Sequence, residues 1–111
     1  MAVVDTGIPE AHPYLGPYRR SGYRNPDIDP VVRFMGDHGS TVASCVAFGR
    51  MNLAAGLPSP VAGACRVMDV MVSLDANQID DESVVTAIDT VVATAPDVRV
   101  FNLSFGICQR A

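Results

Sequence analysis

Three stretches of the chain carry residues whose types and spacing fit acid–base chemistry. The first is Val3-Val4-Asp5-Thr6-Gly7-Ile8, where β-branched residues run into an aspartate and a turn. A carboxylate in that setting has at least two chemistries open to it. It activates a water together with a second carboxylate, or it orients a histidine that acts as a base. The second stretch is Asp37-His38-Gly39-Ser40-Thr41-Val42-Ala43-Ser44. A lone histidine is most often structural, but the glycine and small residues behind this one let its backbone pack close to a sheet. Asp37 sits beside it, yet a sequence neighbour rarely points at its own neighbour's ring, so Asp5 is the expected partner. The third stretch is Asn102-Leu103-Ser104-Phe105-Gly106, at the end of an apolar run. His38 follows Asp5 by 33 residues, and Ser104 follows His38 by 66.

These residues work together only if the chain brings them to one edge. Ala2-Val3-Val4 reads as a short buried strand ending at Asp5. Residues 9–37 hold Pro9, Pro13, Pro17, Pro26 and Pro30 and read as loop, since no helix survives that density of prolines. Within them Val31-Val32-Arg33-Phe34 reads as a short extended piece. Residues 40–49 are small and apolar until Gly49, which predicts a buried helix closed by a glycine. Residues 50–63 read as a second loop. Residues 66–74 read as a strand in which Asp69 is the odd member. Asp80 then caps a helix start with Asp81 and Glu82 in its first turn. Val84, Ile88, Val91, Val92 and Ala95 fall on one face of that helix, and Pro96 stops it. Residues 98–104 read as a final strand. Strands alternating with helices predict an α/β fold, one domain over residues 1–111, with a parallel sheet and flanking helices. In such sheets working residues collect beyond the carboxyl ends of the strands. Asp5, Asn102, Ser104 and Gly106 fall there.

Composition agrees with that architecture. The 111 residues suffice for one domain and are 49% hydrophobic and only 18% charged. Mean hydropathy is positive, at +0.23. Such a balance suits strands buried on both faces, or a piece of a larger core with apolar surface left uncovered. The net charge is −4 and no basic cluster exists beyond Arg19-Arg20 and Arg24, which argues against a nucleic-acid partner. No apolar run reaches the roughly 18 residues of a membrane span. The start, MAVVDTG, lacks the basic region of a signal peptide. Cys45, Cys65 and Cys108 are odd in number and widely spaced. They read as small buried hydrophobes rather than as a disulfide framework or a zinc site, with a single Cys–Cys pair left open.

Taken together, the three stretches resemble the motifs of the subtilisin-like serine proteases. Val3 to Ile8, followed by His12-Pro13-Tyr14-Leu15, is similar to the family's aspartate motif. His38-Gly39-Ser40-Thr41-Val42-Ala43 is similar to its histidine motif, usually His-Gly-Thr-x-Val-Ala. Asn102-Leu103-Ser104-Phe105-Gly106 resembles its Asn-x-Ser-x-Gly segment, which lines the substrate cleft. Val61-Ala62-Gly63-Ala64 is similar to its Val-Ala-Pro-x-Ala stretch. The motifs occur in the family's order and span nearly the whole chain.

The resemblance implies a doubly wound, three-layer α/β/α domain. It implies a serine endopeptidase that hydrolyses peptide bonds through an Asp-His-Ser triad. Asp5 would hold the histidine's Nδ1 proton, and His38 would act as general base and then as acid. Ser104, Phe105 and Gly106 would offer backbone groups to an extended protein or peptide substrate. His12 would be a packing and turn element. No cofactor is implied. A calcium site from Asp27, Asp29 or Asp75 is conceivable by family analogy, but their spacing does not support one. Nucleic-acid and membrane partners are not expected.

Departures from the pattern bear on activity. The family's nucleophile motif, Gly-Thr-Ser-x-Ala, does not occur in the 111 residues, nor does the asparagine that serves its oxyanion hole. The expectation is the N-terminal part of a subtilisin-like domain, inactive alone and lacking its C-terminal half as partner. An expectation of exposed apolar surface and self-association goes with it. Three other readings compete. A retropepsin-like aspartic protease would use Asp5 to activate water, but its fold is all-β and gives no account of His38. A degenerate subtilisin-like module would act only by binding. A phosphate loop of the actin-like type would rest on Asp-x-Gly alone.

Overall fold

The strand that ends at Asp5 lies in the middle of a parallel sheet. In the computed structural model, residues 1–48, 50–52, 57–59, 66–73 and 79–105 are described. They form, in chain order, β1 (Ala2–Asp5), β2 (Arg19–Arg24), α1 (His38–Phe48), β3 (Arg50–Asn52), β4 (Leu57–Ser59), β5 (Val67–Met71), α2 (Asp81–Thr94) and β6 (Phe101–Asn102). Four strands make one sheet in the order β2-β5-β1-β6, and all its pairings are parallel. β3 and β4 form a separate antiparallel pair.

Every residue of β1 and β5 is buried, as expected of parallel strands covered on both faces. The pleat sorts their side chains. Ala2, Val4, Met68 and Val70 pack with Ala87, Val91 and Ala95 of the α2 segment. Val3 and Val67 pack on the other side with Ala43 and Ala47 of α1, and with Ile8 and Leu15. The sheet thus carries one helix on each face. Asp5 is in phase with Val3, so the pleat sends it toward the α1 side. α2 connects β5 to β6 across β1, which accounts for its contact with Ala2 and Val4.

Several expectations from the sequence need correction. The 9–37 stretch contains β2 and a short 3-10 turn over Gly16–Tyr18. β2 escapes a pattern search because Arg-Arg-Ser-Gly-Tyr-Arg has no apolar alternation and is only half-buried. Residues 31–34 form no strand, and Val31 is exposed. α1 begins at His38, two residues earlier than expected, and Gly49 lies outside the described residues. Residues 50–63 include the β3–β4 pair where only loop was expected. On α2 the buried positions are Ala87 and Val91, while Val92 is 59% exposed. Val92 is one position past the stripe that 3.6-residue periodicity keeps against the sheet. Asp80 caps α2 as expected, accepting from the Glu82 N–H. β6 spans two residues rather than 98–104. Cys45 is exposed rather than buried, and Cys65 and Cys108 lie outside the described residues.

Candidate active site

β1 delivers Asp5 to the carboxyl edge of the sheet, and its carboxylate is buried, at 1% exposure. The backbone around it is held on two sides. The Asp5 carbonyl accepts from Val72 N–H at 3.1 Å, and the Thr6 carbonyl accepts from Met35 N–H at 2.7 Å. Gly7 then turns the chain with φ +103°, a backbone state that strains any residue with a Cβ. α1 starts beside this turn. The His38 Nδ1 lies 2.7 Å from Asp5 Oδ1 across 33 residues of sequence. A carboxylate oxygen accepts, so Nδ1 carries a ring proton, and in the neutral ring Nε2 is the acceptor. The His38 side chain is 56% exposed, so an outside group can reach it.

Asp5 Oδ1 also accepts the Thr6 N–H at 2.7 Å. Oδ2 is buried and has no hydrogen-bond partner among the described residues. Asp37 contributes its carbonyl to the first turn of α1 by accepting from Thr41 N–H, and its carboxylate does not pair with His38. His12 ends where its motif implied. Its Nδ1 accepts from Tyr14 N–H and Leu15 N–H, and Leu15 is fully buried.

Ser104 and Phe105 follow β6 at the same edge of the sheet. β6 pairs with β1 in the register Val3 opposite Asn102, so both chains leave the sheet side by side. The Ser104 hydroxyl lies 2.6 Å from Asn102 Oδ1 and donates to it. No hydrogen bond joins Ser104 to Asp5 or His38 among the described residues. Gly106 lies outside the described residues. Among those described, no group of three His, Cys, Asp or Glu side chains is arranged to hold a metal ion. Asp29 is engaged by Val31 N–H, and Asp75 lies outside the described residues.

One support of this site was not anticipated. Arg19 of β2 donates from Nε to the Ile8 carbonyl and from Nη2 to Asp69 Oδ2, both at 2.7 Å. It thereby ties the segment that follows the Asp5 turn to the middle of β5. Burial pushes the Asp69 carboxyl above its ordinary value, and the hydrogen bond and charge of Arg19 oppose that rise. The signal in the sequence was Asp69 itself. An acid inside an otherwise apolar strand needs a partner.

The arrangement is thus a buried acid, a histidine aligned on it, and an open face beyond the imidazole. The parallel sheet with two helices excludes the all-β fold of a retropepsin-like enzyme. Neither a search of curated proteins nor one of solved structures finds a significant match. A family model described as the subtilase family matches residues 1–110. With its motifs, its parallel sheet and its Asp5–His38 contact, the chain belongs to the subtilase family of serine peptidases.

Proposed function

We propose that this chain supplies the acid and the base of a serine endopeptidase triad. The observation that carries the reading is the 2.7 Å contact between His38 Nδ1 and Asp5 Oδ1. Asp5 keeps the proton on Nδ1 and stabilises the imidazolium that forms when Nε2 takes the proton of a serine hydroxyl. His38 then returns that proton to the leaving amine. Backbone groups of Ser104 and Phe105 form one wall for an extended peptide substrate. The reaction requires no cofactor. Its nucleophile belongs to a Gly-Thr-Ser-x-Ala motif and its oxyanion donor to a separate asparagine, and the 111 residues contain no such motif and no asparagine after Gly106.

Two experiments test this reading. A fluorophosphonate probe added to the 111-residue chain should label no serine. Labelling at Ser104, or at any other serine, would overturn the assignment. The DNA after codon 111 is the second test. An in-frame Gly-Thr-Ser-x-Ala supports the peptidase reading, and its absence favours a module that only binds.

A further inference from the structure

We propose that Thr6 is a positioning residue for His38, acting through the backbone of Gly39. The proposal rests on the reading of Asp5 and His38 as a catalytic pair, but its test reads the geometry of that pair and not peptidase activity. Thr6 Oγ1 accepts the Gly39 N–H at 2.9 Å in a buried setting. Gly39 is the second residue of α1, and the first amides of a helix have no partner within the helix. The Thr6 hydroxyl supplies that partner from the strand side.

Two further observations make this bond matter to the histidine. His38 is more than half exposed, and the contact with Asp5 is the only hydrogen bond of its ring among the described residues. Packing therefore does not set the ring's direction on its open side. What sets it is the place where α1 begins. The approach there is very close: a Cβ on Gly39 would lie 2.5 Å from the Gly7 carbonyl oxygen and 3.1 Å from Thr6 Oγ1. Gly39 removes the steric obstacle, and Thr6 fixes the contact that the glycine permits. Asp5 Oδ1 holds both the Thr6 N–H and the His38 ring. Residue 6 thus meets the pair twice, through its amide on the acid and through its hydroxyl on the residue after the base. A β-branched side chain suits this task because its χ1 is restricted.

Nitrogen and proton NMR on the full 111-residue chain tests the proposal with Thr6→Val and Thr6→Ser. Thr6→Val keeps the shape and loses the acceptor, and Thr6→Ser keeps the acceptor. In Thr6→Val the His38 Nδ1 proton should exchange with water about tenfold faster, the effect of one lost hydrogen bond. Thr6→Ser should stay close to wild type. A Thr6→Val spectrum with wild-type His38 signals overturns the proposal, as does equal loss in both variants. Amides of Ala87 and Val91 in α2 report whether a variant is folded. If Thr6→Val does not fold, Gly39 amide exchange in the wild-type chain decides. Protection there requires the Thr6 acceptor, and rapid exchange overturns it.

Discussion

Asp5 has two carboxylate oxygens in a buried site and uses one of them. Oδ1 receives both the Thr6 amide and the His38 ring, while Oδ2 has no hydrogen-bond partner among the described residues. A buried acceptor left unmade costs about 1–3 kcal/mol. Cys45 shows the opposite mismatch, an apolar residue left in the open. Gly39, Ala43 and Ala47 form the buried side of α1, and Cys45, two positions past Ala43, falls about 200° around the helix. A maleimide should therefore label Cys45 in the folded chain without denaturant. A thiol that reacts only after unfolding would contradict its exposure. These two residues differ in how far the sequence discloses them. Asp5 and His38 were legible because a motif fixes their spacing and type. The exposure of Cys45 was not, because an evenly small and apolar helix does not declare which side faces the sheet.

At the level of elements, β2 is the least legible part and it anchors the site. Its polar residues gave no strand pattern. What holds it is the parallel ladder with β5 and the bridge from Arg19 to Asp69. The pair is nearly buried, at 12% and 6% side-chain exposure. Burial is the largest influence on Asp69, and Arg19 opposes it only in part. The folded chain therefore binds the Asp69 proton more tightly than the unfolded chain, whose ordinary value is 3.8. Such a group favours folding below the unfolded value, and that contribution is lost as pH rises through the folded value. Asp69→Asn keeps an acceptor for Arg19 without the buried negative charge. It should melt at or above the wild-type temperature at neutral pH, with an advantage that shrinks as pH falls toward 3.8. A series of thermal melts checks this, and a large loss at neutral pH would contradict it. By contrast the two ends of α2 were legible. Its capping acid and its closing proline are local signals, whereas the expected apolar face included Val92, which is exposed.

Among the described residues, large apolar side chains stand exposed at Tyr14, Val31 and Phe34, between β1 and α1, and in two further places. Val85 and Val92 stand out from α2, and Val100, Leu103 and Phe105 flank β6. β6 pairs only with β1 among the described strands, so its other side is an edge of the described sheet. Open edges and apolar patches favour association. Sedimentation of the 111-residue chain should show species larger than a monomer at micromolar concentration. A clean monomer with a sharp two-state melt would argue against it. This outer surface was foreshadowed by the composition, but its location was not, since it depends on which strand ends the sheet. The central place of β1 also has a bearing on biosynthesis. Ala2 pairs with Met68 on one side and with Phe101 on the other. At a translation rate of about 5–20 residues per second, the second pairing waits roughly 5 to 20 seconds after β1 is made. Until β5 is made the ribosome carries an apolar strand without its sheet neighbours, and until β6 is made one side of that strand stays unpaired. The segment that ends at Asp5 is thus among the first strands to be made and among the last to gain both of its neighbours.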